Sequence, residues 1–209
     1  MDIDVTELVG GTAREVSRTE RDGVDARLVR ATRDFDTTVE DLWNAVTDPE
    51  RLPRWFLPVT GDLRVGGRFQ IEGNAGGEVL ECVPPEHLAV TWEFNGGVSW
   101  LDVRRSPVAD GRARLELSHT VPTDAHWDQF GPGAVGVGWE LALMGMGLHL
   151  ASGQSVDPAE VMAWQTTEPG FDLMRRSAEG WYEAQVSAGA PAAKARGMAD
   201  RTIAAYTGG

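Results

Sequence analysis

The spacing of apolar and polar residues divides the chain into a strand-rich part and a helical tail. Residues 13–19 and 25–35 read as two antiparallel strands flanking Asp22-Gly23, a pair suited to the positive backbone angles of a tight hairpin turn. Thr37 offers a hydroxyl cap with Glu40 three residues on. Val39, Leu42, Trp43 and Val46 follow at helical spacing and predict a helix with one apolar face. Asp48 before Pro49 reads as a second helix start, a short turn carrying Leu52, Trp55 and Phe56. From Leu63 the period becomes two. Leu63, Val65, Phe69 and Ile71 fall on one face and Arg64, Arg68, Gln70 and Glu72 on the other, with Gly66-Gly67 as a bulge or bend.

Further strands are expected over residues 78–83, 88–94, 98–104 and 112–121, broken by glycine and Pro84-Pro85 turns. In the last of these Leu115, Leu117, His119 and Val121 alternate with Arg114, Glu116 and Ser118, which turns His119 inward. The face of strand 78–83 stays open: burying Leu80 and Cys82 turns Glu78 inward, whereas Val79 and Val83 argue for the opposite face. Because the linkers are hairpin-sized and hold no crossover helices, the strands form an antiparallel sheet of about six or seven members. A long helix is expected to begin within residues 136–139, placing Trp139, Leu143, Met146 and Leu150 on one stripe. Helices follow after Asp157-Pro158, over 171–188 and over 192–206, while residues 1–11 show no period and read as a loose arm. The fold class is therefore α+β, with one domain over 1–154 and a helical C-terminal extension over 155–209.

Charge and composition narrow the partners. The 209 residues carry 19 basic and 32 acidic side chains, a net charge of -13, which repels phosphate backbones and anionic headgroups; no nucleic-acid or membrane partner is expected. The single cysteine, Cys82, excludes an intrachain disulfide, and no basic-then-apolar leader opens the chain, so a cytoplasmic address is expected. The apolar stretch 136–150 is interrupted by Glu140 and His149 and is expected to be too short to cross a bilayer. The four histidines do not form a metal signature, and the pairs Gly136-Val-Gly138 and Gly145-Met-Gly147 lack the third glycine of a dinucleotide fingerprint, so neither metal nor cofactor is expected. The glycines are assigned to close packing of helix on sheet.

Several motifs occur in an order that resembles a known superfamily. They are Leu42-Trp43 through Trp55, the turn from Asp62 to Phe69, Pro84-Pro85 to Trp92, and Gly138-Trp139 with its following leucines. The chain resembles the START-like, helix-grip (SRPBCC) superfamily, in the branch named after the activator of the ninety-kilodalton heat-shock chaperone's ATPase. That resemblance covers residues 14–150. It implies a curved antiparallel sheet around a long C-terminal helix, an apolar ligand cavity, and members that bind lipids, hormones or polyketides or catalyse cyclisation and dehydration. The eponymous activators also carry an N-terminal chaperone-binding domain, to which nothing here is similar. The tail resembles extensions in one bacterial subgroup.

Three functions compete. The first is a binding protein for a small apolar or aromatic molecule, held by Trp55, Phe69, Ile71, Trp92, Leu117, His119, Trp139, Leu143 and Met146; eight tryptophans in the chain supply flat walls for such a ligand. For any single tryptophan plain core filling is the favoured reading. The second is a cyclase or dehydratase using the same pocket, with His119 as the proton-transfer group; it needs a second polar group within reach that the pattern does not display. The third is a chaperone partner or stress-related interaction protein. A homodimer stays open in all three.

Overall fold

The computed structural model describes residues 4–209. Among these, the order is α1 (Val5–Gly10), β1 (Thr12–Arg21), β2 (Val24–Phe35), α2 (Val39–Thr47), a 3-10 turn (Leu52–Arg54), β3 (Val59–Gly61), β4 (Arg68–Ile71), β5 (Gly76–Val83), β6 (His87–Phe94), β7 (Gly97–Ala109), β8 (Arg112–Pro122), α3 (Ala125–Phe130), α4 (Gly133–Ser152), α5 (Pro158–Gln165), α6 (Glu168–Ser187) and α7 (Ala192–Thr207). The strands make one eight-stranded sheet in the order β1-β2-β8-β7-β6-β5-β4-β3. The class is α+β of the helix-grip type, with β3 as a strand beyond the expected number.

The chain forms two compact units, neither continuous in sequence. One comprises residues 1–31, 120–141 and 159–209; the other comprises 32–119 and 142–158. In the first, Asp22 (φ 54) and Gly23 (φ 78) make the expected hairpin turn between β1 and β2. The α6 helix is capped by Thr167, carries Pro169 in its first turn, and buries Leu173, Met174, Ser177, Ala178, Trp181 and Gln185 on one face. Its partner α7 buries Ala195, Met198, Ala199 and Thr202. Thr202 donates to the Phe130 carbonyl at 2.9 Å and Tyr206 to that of Ala134 at 3.1 Å, which ties α7 to the segment leading into α4. The α4 carboxylate Glu140 is 4% exposed and accepts two bonds from Arg14 of β1, Nε to Oε1 at 2.8 Å and Nη2 to Oε2 at 2.5 Å.

In the second unit β3 to β7 run as an antiparallel meander, with registers such as Phe69 opposite Gly77, Val79 opposite Val90, and Val90 opposite Leu101. A bulge between Val79 and Glu81 settles the open face of β5. Val79 pairs with Val90 and Cys82 with Leu88, two residues along β6, so the extra residue brings both side chains to one face although they are three apart. Neither simple alternation applied to the whole strand. The other buried polar residue of α4, His149, is 1% exposed; its Nε2 accepts from Arg51 Nε at 3.1 Å and its Nδ1 pairs with the Gln154 carbonyl at 2.6 Å. A guanidinium can only donate, so this imidazole carries its proton on Nδ1.

Four expectations are corrected. Leu63 and Val65 do not continue a strand: Gly66 (φ 80) and Gly67 close a turn on Asp62, and the two apolar side chains are exposed at 36% and 60%. A Cβ on Gly67 would stand 2.3 Å from the Asp62 carbonyl, so turn sterics override the alternation. The cap of α2 is Thr38, accepting from Asp41 N, while Thr37 donates to the Asp41 carboxylate at 2.6 Å. The N-terminal arm is in part helical, since Asp4 caps α1 and Arg176 of α6 reaches Thr6 at 3.3 Å; residues 1–3 of that arm lie outside the described residues. Finally α4 begins earlier than expected and is 20 residues long, long and apolar enough to cross a membrane by length and composition, although its Glu140 and His149 find their partners within the protein.

The helix glycines differ in what they allow. A Cβ on Gly136 would meet the Trp181 ring at 2.2 Å, whereas one on Gly147 would lie 3.6 Å from the Phe35 ring. Gly136→Ala should therefore cost about 1–3 kcal/mol through displacement of the indole. Gly147→Ala should gain up to about 1 kcal/mol of helix propensity. Urea denaturation of both variants reads the difference, and equal effects would show that Trp181 does not hold this glycine.

Candidate functional site

The second unit gathers eight of the nine ligand-site candidates. Phe69 and Ile71 lie on β4, Trp92 on β6, Leu117 and His119 on β8, Trp55 just after the 3-10 turn, and Leu143 and Met146 on α4. Trp139 belongs to the first unit, where it is half-buried. Phe69, Ile71, Leu117 and Leu143 are buried and Met146 is wholly enclosed. Trp55 and Trp92 are half-buried.

Trp55 is already committed at its polar end, because its ring N–H donates to the Ala45 carbonyl of α2 at 2.8 Å. Its own carbonyl lies against Gly145 of α4, where an added Cβ would approach to 2.9 Å. This close approach explains the glycine, and it places Trp55 beside the segment between Leu143 and Met146.

The polar centre is a chain of three residues. Trp92 and Ser99 face each other in the β6–β7 register, and Ser99 Oγ donates to the Trp92 carbonyl at 3.0 Å. With that proton spent, Ser99 Oγ accepts from His119 Nε2 at 2.8 Å, which assigns the Nε2–H tautomer. The Trp92 ring stands edge-on to the imidazole with centroids 6.2 Å apart. His119 is 3% exposed, and burial pushes its pKa down to about 4 from the ordinary 6.5. Near neutral pH the ring is uncharged and poorly matched to proton transfer, which works best with a pKa close to the working pH.

Ser99 is the second polar group that the sequence pattern does not display. It occupies the same face of β7 as Leu101 and Val103, so a serine at an inward position was the one available signal. A second polar cluster of this unit centres on Arg51. Arg51 donates to the Asp41 carboxylate at 2.6 and 3.2 Å and to Asn44 Oδ1 at 2.9 Å, and its hydrogen bond holds Asp41 below the usual carboxylate range. The four histidines have separate partners: His87 bonds Asp102 at 2.7 Å, His119 bonds Ser99, His149 bonds Arg51, and His126 packs on Phe130.

The burial of His119 carries a pH dependence. Above pH 6.5 the ring is neutral in folded and unfolded chains alike. As the pH falls, the unfolded chain takes up a proton that the folded protein refuses, and stability drops until the folded ring itself titrates near 4. The loss attributable to this ring is about 3 kcal/mol. Urea unfolding between pH 7.5 and 4 should show a steeper decline in the wild type than in His119→Gln; parallel slopes would contradict the assignment.

Comparison with known proteins adds the following. The sequence model of the family described as Activator of Hsp90 ATPase homolog 1-like protein matches residues 36–150. The solution structure of CalU16 from Micromonospora echinospora is 34% identical, covering 85% of this chain and 96% of its own, with a TM-score of 0.70. The CalU16 crystal structure is 32% identical over 83% of this chain and 97% of its own, with a TM-score of 0.66. The crystal structure of DynU16, a protein of the dynemicin biosynthetic locus, is 19% identical over 61% of this chain and 48% of its own, with a TM-score of 0.55, a likeness of fold alone. No curated protein matches.

Proposed function

The chain belongs to the Activator of Hsp90 ATPase homolog 1-like family, and from that membership we propose that it binds a small, flat, apolar molecule against the face formed by Trp92, Leu117 and His119. The observation that carries this reading is the Trp92–Ser99–His119 chain: a half-buried indole edge-on to a buried imidazole, on an otherwise apolar face. A group kept neutral by burial selects an uncharged ligand, because a carboxylate or ammonium would lose its hydration with no opposite charge in return. Phe69, Ile71, Leu143 and Met146 give the site rigid walls, and Trp55 joins it through the α4 segment it packs on. Trp139, in the other unit, has no role in this proposal. The acidic composition and the lone Cys82 fit a cytoplasmic binding protein.

A cyclase or dehydratase is the weaker reading. Ser99 supplies the second polar group such an enzyme needs, but its proton is held by the Trp92 carbonyl and the imidazole titrates far below neutrality. Intrinsic fluorescence titrated with a panel of neutral polycyclic aromatic compounds should show saturable quenching. Trp92→Ala should weaken binding of the best compound by about tenfold or more, corresponding to the loss of one stacked aromatic contact. Native mass spectrometry of gently purified protein should show a co-purifying neutral molecule. A flat fluorescence response to the whole panel, together with a bare protein mass, would reject the proposal.

A further inference from the structure

The second unit also holds a buried cation that no anion balances. Arg105 of β7 is 4% exposed, and among the described residues it makes no ion pair. Its Nη2 donates to the Val103 carbonyl at 3.1 Å, while Nε and Nη1 are buried without any acceptor. The guanidinium lies over the Trp43 ring of α2, 4.0 Å from its centroid. That stacking recovers part of the cost of burying the charge but satisfies no N–H. Burial pushes its pKa down to about 10, the direction expected of a cation lacking a partner. Nearly all buried polar groups in folded proteins are paired, so the open donors ask for an acceptor.

Arg105 forms part of the wall of a groove of about 560 Å³. Thr38 and Val39 at the N-terminus of α2 line one side, with Pro85, Ser106 and Pro107 among the other walls. We infer that this groove binds a small organic monocarboxylate, its apolar body against Val39, Pro85 and Pro107 and its carboxylate meeting the Arg105 guanidinium once that side chain turns from the Trp43 ring toward the groove, since Nε and Nη1 are sealed where they now lie. Guanidinium geometry matches a planar carboxylate, and the helix N-terminus adds a favourable dipole. At the rim the exposed carboxylates Glu40, Glu86 and Asp110 outnumber Arg112, which is itself paired with Asp34 and Asp36, so multiply charged anions are repelled and a single negative charge is favoured over phosphate. Arg105 is six residues from Ser99 along β7, roughly 20 Å, so this groove is separate from the face proposed for the neutral ligand.

The full-length protein should be titrated with benzoate while the Arg105 Nε–H signal is followed by NMR, with benzamide as the uncharged control. Benzoate should shift that signal saturably and benzamide should not. Arg105→Met should weaken benzoate binding by about tenfold or more. The same variant should keep or raise the melting temperature of the unliganded protein, since it removes an unpaired buried charge. An unmoved Arg105 signal at tens of millimolar benzoate would overturn the inference. So would an Arg105→Met protein that melts lower and binds benzoate as before, which would mark Arg105 as a packing residue on Trp43. If the variant fails to fold, the wild-type Nε–H titration alone decides.

Discussion

Two polar side chains on an otherwise apolar helix govern how α4 can be used. Glu140 and His149 are both almost fully enclosed, and each is met by an arginine distant in sequence, Arg14 and Arg51. A carboxylate buried without its cation costs several kcal/mol, so any arrangement that turned Glu140 away from Arg14 would be disfavoured by about 3–5 kcal/mol. His149 imposes a finer condition, since only the neutral Nδ1–H tautomer accepts from Arg51 while donating to Gln154. Leucines and methionines could slide or rotate at little cost. Each pair fixes the rotation of its own stretch of the helix within its own unit.

The same economy of polar groups shapes the sheet face. Around Trp92 the inward positions of β6, β7 and β8 are apolar except Ser99 and His119, and those two bond each other while Ser99 bonds the Trp92 carbonyl. Because the chain of donors is closed locally, the imidazole stays buried, neutral and oriented. A ligand at the proposed face would be selected by shape and by its lack of charge. Arg105, farther along β7, departs from this rule: it is buried like its neighbours, but its Nε and Nη1 have no acceptor.

Much of the fold is legible from residue order. The Asp22-Gly23 turn, the alternation of Leu115, Leu117 and His119, and the α6 and α7 tail each rest on a local signal strong enough to survive folding, whereas the helix glycines expected to pack on the sheet do not all do so: Gly136 packs on Trp181 of α6. Legibility fails where neighbours compete with local pattern. Leu63 and Val65 have strand spacing, yet the Gly66-Gly67 turn removes them from the sheet. The bulge in β5 defeats parity by a single inserted residue. The short α3 helix depends on one Asp124 cap with no apolar period to announce it.

The sequence by itself determined the α+β class, the antiparallel strands, the long apolar helix and the inward aim of His119, because hydrophobic periodicity and turn chemistry act over a few residues and need no distant partner. Only the tertiary structure decided what those inward residues meet. Ser99 lies twenty positions from His119, Arg51 is ninety-eight from His149 and Arg14 is one hundred and twenty-six from Glu140. Whether a buried polar group is satisfied, neutralised or left wanting is a property of the partner that folding brings to it, and no local pattern encodes that partner.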